Sequence, residues 1–194
     1  MSMGTDVAVG IDAIEVYLPY LKFPLNDQEF CERRKKPGET IEDFRQKLEN
    51  IGVLEIRMPD YDQDAAVLAA NAVYKLIERN KYPVEDITSI RVASETTNID
   101  GSKPIGTSII GMLEQVYGKH SLSHIITYDG KFACISASYL LRDAVHSVKC
   151  MDKDKIEIVV ATDIALYDEN DPEKSHRAAV QLHLLSKKIH DCSI

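Results

Sequence analysis

Ile156-Glu157-Ile158-Val159-Val160-Ala161 is a near-continuous apolar run of strand length, the pattern of a β-strand covered on both faces. A chain holding such a strand must also supply elements to cover each side. The flanking segments have the period required. Leu140, Leu141, Ala144, Val145 and Val148 fall on one face of a helix running from Cys134 towards Lys149, and Ala66, Ala69, Ala70, Val73 and Ile77 line another ending near Asn80. Strand-like runs are expected over Val7–Leu18, Val53–Met58, Ile87–Ala93, Leu122–Tyr128 and Ala178–Leu185. Alternation at this spacing predicts an α/β fold with a mixed, mostly parallel sheet and helices on both faces.

Local punctuation agrees with that division. Thr40-Ile41-Glu42-Asp43 has the form of a capping box ahead of a helical face made by Ile41, Phe44, Leu48 and Ile51, and Gly52 stops it. Asp62 is placed to cap the next helix, and Pro104 to open one that Gly118 ends. Arg33-Arg34-Lys35-Lys36 reads as a solvated helix end that could also meet a phosphate.

The 194 residues suit one domain, or two small halves sharing a sheet, and a chain of this length buries roughly 70% of its unfolded surface. A net charge of −8 argues against nucleic acid or an anionic membrane as partner. No stretch has the ~18 uncharged apolar residues of a membrane span, and the first six residues lack the basic-then-apolar order of a signal peptide. Four cysteines without CxxC pairing point to reduced thiols and a cytoplasmic setting, with no metal centre expected. His120 and His124 are four apart, but a loop-like Ser-Leu-Ser lies between them and favours turn residues over metal ligands.

Three residues sit where chemistry is expected. Cys134, in Phe132-Ala133-Cys134-Ile135-Ser136-Ala137-Ser138, lies where a strand hands over to a helix. There a helix start can lower a thiol pKa and offer free backbone N–H groups. An inert buried cysteine is the alternative. Glu95 follows the strand ending at Ala93, and carboxyl ends of strands gather at the ligand crevice of α/β sheets. It reads as a general acid–base candidate or as a solvated loop carboxylate. Asp163, after the run ending at Ala161, could bind substrate or hydrogen-bond loop backbone.

Taken in order, Gly10-Ile11-Asp12 with Val16-Tyr17-Leu18-Pro19, Met58-Pro59-Asp60-Tyr61-Asp62, Ser94-Glu95-Thr96, Phe132-Ala133-Cys134 and Ala161-Thr162-Asp163-Ile164-Ala165 resemble the archaeal and bacterial hydroxymethylglutaryl-CoA synthases of the thiolase superfamily. The likeness covers most of the chain, roughly Val7 to Lys187. It implies a thiolase-like half-fold over 1–194, with 185–194 as an irregular tail, and an acyltransferase of the mevalonate route to isoprenoids. Cys134 would accept an acetyl group from acetyl-CoA, and Glu95 would take a methyl proton so that the carbanion attacks acetoacetyl-CoA. Asp163 is the candidate substrate-binding residue, and no cofactor is implied beyond these CoA thioesters.

Members of that family are about twice as long, and their second half supplies a catalytic histidine. No histidine here falls in a matching motif. The stretch Ser175-His176-Arg177-Ala178-Ala179 also lacks the family's glycine-rich run. The chain is therefore expected to act with a complementing C-terminal-half polypeptide or as a homo-oligomer. A non-catalytic interaction subunit and another thiolase-superfamily condensing enzyme are the competing readings.

Overall fold

A computed structural model describes residues 9–95, 102–132, 134–151, 154–164 and 182–187, the last segment and Ile56 by backbone only. These residues form two compact units. The first holds residues 9–17, Ala65–Asp163 and 182–187; the second holds Leu18–Asp64.

In the second unit, β2 (Leu21–Pro24) pairs antiparallel with β3 (Glu55–Met58), and α1 (Gln28–Arg34) and α2 (Ile41–Asn50) lie between them in sequence. Leu25, Phe30, Cys31, Phe44 and Leu48 form its core. The capping box is present as expected: Thr40 Oγ1 accepts from the Asp43 N–H at 3.1 Å, and Asp43 accepts from the Thr40 N–H. Gly52 follows with φ of 79°, a conformation that favours glycine. The basic run does close a helix, since Arg33 and Arg34 end α1. β2 is an addition to the elements expected from sequence, and of α1 only the basic end was expected.

The first unit carries a five-stranded sheet ordered β1-β7-β6-β4-β5, from β1 (Ala13–Glu15), β4 (Ile87–Ala93), β5 (Ile126–Gly130), β6 (Ile156–Thr162) and β7 (Leu182–Lys187). β4 pairs parallel with both β5 and β6, while β7 pairs antiparallel with β6 and with β1. The sheet is mixed, as expected. β1 is shorter than the run expected over Val7–Leu18, and the last strand falls at Leu182–Lys187, residues 178–181 lying outside the described set. The expected strand start at Leu122 is instead a turn that buries Leu122 and Ile125, with the strand beginning at Ile126.

The period-2 alternation of β4 and β6 divides their side chains between two faces. Ile90, Val92, Ile158 and Val160 face α3 (Ala65–Asn80) and α4 (Ile105–Tyr117) in the larger core. Ala93 and Val159 face α5 (Ser136–Lys149), where Leu140 and Ala144 complete a small cluster. Six of the first eight residues of α3 are buried alanines or leucine, so its backbone can approach its neighbours closely. Asp129, on β5, accepts from the N–H groups of Ile105 (2.7 Å) and Gly106 (3.3 Å), capping α4 from outside the helix.

Gly106 is required by packing. A Cβ there would lie 1.6 Å from Thr127 Oγ1, whose hydroxyl donates to the Ile90 carbonyl at 2.7 Å. Gly106→Ala is expected to destabilise the protein by about 1–3 kcal/mol, the usual cost of overpacking, measured by urea denaturation. Adding Thr127→Ala should recover only part of the loss, because the residue 127 Cβ, at 2.9 Å, remains.

Candidate functional site

Parallel pairing sets the positions. Ala93 is level with Gly130 on one side and Ala161 on the other, so the chain leaves β5, β4 and β6 at one edge of the sheet. The residues that follow are Lys131–Cys134, Ser94-Glu95 and Asp163. Sheet geometry thus brings together the three residues singled out from sequence.

Cys134 lies in the short link between Gly130 and α5. Gly130 makes one anchor: a Cβ there would sit 3.1–3.2 Å from the Leu140 side chain, so strand end and helix are in direct contact. Ser136 makes the other, its buried hydroxyl accepting from the Phe132 N–H. The helix begins at Ser136, with Ile135 in the N-cap position and no side chain capping it. The thiol is exposed, which removes the alternative of a cysteine inert in the core.

The Cys134 S–H donates to Glu95 Oε1 at 2.9 Å. Glu95 is held in turn by Asp163, whose Oδ1 accepts from the Glu95 N–H at 2.7 Å and from the Ser94 hydroxyl at 2.9 Å. Asp163 is thus seen holding the backbone of the carboxylate beside the thiol, and Ser94, which buries its side chain, completes that hold. Neither Ser94 nor Ser136 was evident from sequence; small polar residues beside a candidate nucleophile and base were the available signal.

The thiol pKa corrects one expectation. A helix start was expected to lower it, yet the Cys134 thiol is pushed above its ordinary value. The largest cause is the hydrogen bond to Glu95, followed by the negative charge of Glu95, with Asp163 adding in the same direction. The Cys134 backbone N–H opposes this but does not prevail. Two carboxylates at the strand ends thus hold the proton on the sulfur against that single backbone N–H. The arrangement is a thiol and a carboxylate sharing a proton, with the carboxylate placed to take that proton or one from a group carried on the sulfur.

His120 and His124 lie in turns, and His120 has φ of 64°. Among the described residues, no cluster of three histidine, cysteine or acidic side chains is placed to hold a metal ion, and no helix is long and apolar enough to cross a membrane. His190 and Cys192 lie outside the described residues.

Residues 5–185 match the family described as hydroxymethylglutaryl-coenzyme A synthase N terminal. The chain is 35% identical over 179 residues to hydroxymethylglutaryl-CoA synthase of Haloferax volcanii, covering 92% of this chain and 38% of that protein. It thus spans well under half the length of that relative. In fold it is similar to MvaS in complex with 3-hydroxy-3-methylglutaryl coenzyme A, at TM-score 0.75 and 24% identity over 95% of this chain and 41% of the other. A priming β-ketosynthase of the R1128 polyketide pathway matches at TM-score 0.75 and 18% identity, over 94% and 50% of the two chains. An HMG-CoA synthase complexed with CoA matches at TM-score 0.72 and 22% identity, over 94% and 44%.

Glu95→Gln is expected to lower the titration midpoint of Cys134, because it removes the charge that holds the proton on sulfur. Iodoacetamide labelling across pH, read at Cys134 by peptide mass spectrometry, checks this: the variant should alkylate faster than wild type near neutrality.

Proposed function

The chain belongs to the hydroxymethylglutaryl-CoA synthase N-terminal family, and from that premise we propose that it carries the acyl-accepting part of a Claisen-type condensation. The observation that carries the reading is the 2.9 Å contact between Cys134 Sγ and Glu95 Oε1 at the edge where three strands end. In the proposed reaction Glu95 takes the thiol proton as Cys134 attacks the carbonyl of acetyl-CoA. The C–S bond to CoA breaks, the proton passes to the departing CoA thiolate, and acetyl-Cys134 remains.

The thioester acidifies the acetyl methyl group, and Glu95, again ionised, lies beside the acylated sulfur to remove one methyl proton. The resulting carbanion attacks the ketone of acetoacetyl-CoA, the alkoxide formed takes up a proton, and water cleaves the Cys134 thioester to release hydroxymethylglutaryl-CoA. Asp163 supports the sequence by holding Glu95 through its backbone and lines the same substrate site. The raised thiol pKa suits such a base: a neutral thiol resists stray oxidation and yields its proton only to a carboxylate in contact.

In this reading the chain supplies one half of a two-half fold, and turnover needs the other half as well. A cytoplasmic setting and a place in isoprenoid synthesis follow from the same reading. The family match and the retained Cys134 and Glu95 favour an enzymatic role over a non-catalytic interaction subunit.

Incubation with acetyl-CoA is expected to add one acetyl group to the intact protein, mapped to Cys134 and absent from Cys134→Ala. Hydroxymethylglutaryl-CoA should accumulate only when a C-terminal-half polypeptide and acetoacetyl-CoA are also supplied. No acylation of Cys134 by acetyl-CoA, with or without that partner, would overturn the proposal.

A further inference from the structure

A second charged cluster lies one pleat below the site, between the sheet and α5. Arg91 on β4 is buried, with 7% of its side chain exposed, and Glu157 on β6 has none exposed. Arg91 Nη2 lies 2.9 Å from Glu157 Oε1 and 2.7 Å from Oε2. Nη1 donates to Tyr128 Oη on β5 at 2.6 Å and to the Asp143 carboxylate on α5, which the Tyr128 hydroxyl also meets. Nε donates to Ser89 Oγ at 3.2 Å. One guanidinium thereby joins β4, β5, β6 and α5, the four elements whose ends carry Glu95, Cys134 and Asp163.

The cost of burying these charges calls for a reason beyond stability, since apolar residues of the same volume often pack at least as well. The apolar contact between α5 and the sheet supplies one. Its buried members are Ala93, Leu140, Ala144 and Val159, two of them alanines. Contacts this small specify the axial position of a helix weakly, whereas a planar fork of donors fits only one arrangement of acceptors. Asp143 lies seven residues beyond Ser136, about 10 Å along a rigid helix, so a shift at Asp143 is carried to the Cys134 link.

We propose that Arg91 is a positioning residue for the Cys134–Glu95 pair: through Asp143 it fixes where α5 sits, and through Glu157 and Tyr128 it ties that seat to the three strands that end at the site. The proposal rests on the reading of Cys134 and Glu95 given above and adds what holds them at contact distance. Tyr128 serves as a neutral donor throughout, its pKa pushed up to about 12 by burial and by its hydrogen bond to Asp143 against the lowering effect of Arg91. The groups that set the Cys134 midpoint are Glu95 and Asp163. Arg91 acts by keeping Glu95 in contact.

The test is the pH profile of Cys134 alkylation in wild type, Glu95→Gln, Asp143→Ala and the double variant Arg91→Met with Glu157→Met, which leaves neither buried charge without its partner. Asp143 is 57% exposed in its side chain, so its replacement should leave the fold intact by far-UV circular dichroism. Labelling in 1 M salt, where the screening length is about 3 Å, suppresses the direct field of Asp143 on the thiol. The expected result for Asp143→Ala is a midpoint shifted at least halfway to that of Glu95→Gln, with labelling near neutrality ~3-fold faster for a half-unit shift. A lower unfolding midpoint with an unchanged alkylation profile in folded Asp143→Ala would make the cluster purely structural and overturn the proposal. Should the double variant not fold, Asp143→Ala alone decides. Alkylation needs no acetyl-CoA, so failure of acyl transfer leaves this test intact.

Discussion

Two parallel pairings, β4 with β5 and β4 with β6, govern what this chain can do. Parallel strands present their carboxyl ends at one edge, and the level of Ala93, Gly130 and Ala161 means the three chains turn away from the sheet together. Each turn then contributes one polar side chain to a shared cluster: Glu95 after β4, Cys134 after β5, Asp163 after β6. The thiol and carboxylate meet although they are 39 residues apart in sequence, and Asp163, which holds the carboxylate's backbone, is 68 residues beyond Glu95. Slipping either pairing by one residue would reverse the faces of the strands and disperse the set.

The site adds its own electrostatics to that geometry. A helix start beside a cysteine ordinarily favours the thiolate. Here α5 begins two residues past Cys134, and a carboxylate in direct hydrogen-bond contact prevails over it. A like charge at hydrogen-bond contact disfavours the thiolate, whereas a helix end offers only a partial positive charge. The consequence is a thiol kept protonated beside the carboxylate it touches. Two residues back from the end of β4, Arg91 and its partner Glu157 place full charges in the α5 interface, where their fixed geometry complements a small apolar contact.

Much of this was legible in the sequence where the signal is local. β4 runs over Ile87–Ala93 as its apolar run indicated, the Thr40–Asp43 capping box formed, and the α/β alternation and the strand-end positions of Glu95 and Cys134 were visible as spacing. What was not legible depends on partners distant in the chain. Glu157 passed as a blemish in an apolar run because its partner, Arg91, is 66 residues away. The direction of the thiol pKa was misjudged for the same reason: the helix start is a neighbour in sequence and Glu95 is not. β2 and α1 are too short, at four and seven residues, to establish a period.

The central claim is that Glu95 removes a proton from an acyl group carried by Cys134. The direct measurement is deuterium washout: acetyl-CoA bearing a fully deuterated methyl group is used to acetylate Cys134, and loss of deuterium to water is followed at that residue by mass spectrometry. Washout in wild type that disappears in equally acetylated Glu95→Gln is the predicted result. Equal washout in the two proteins, or none in either, would contradict it.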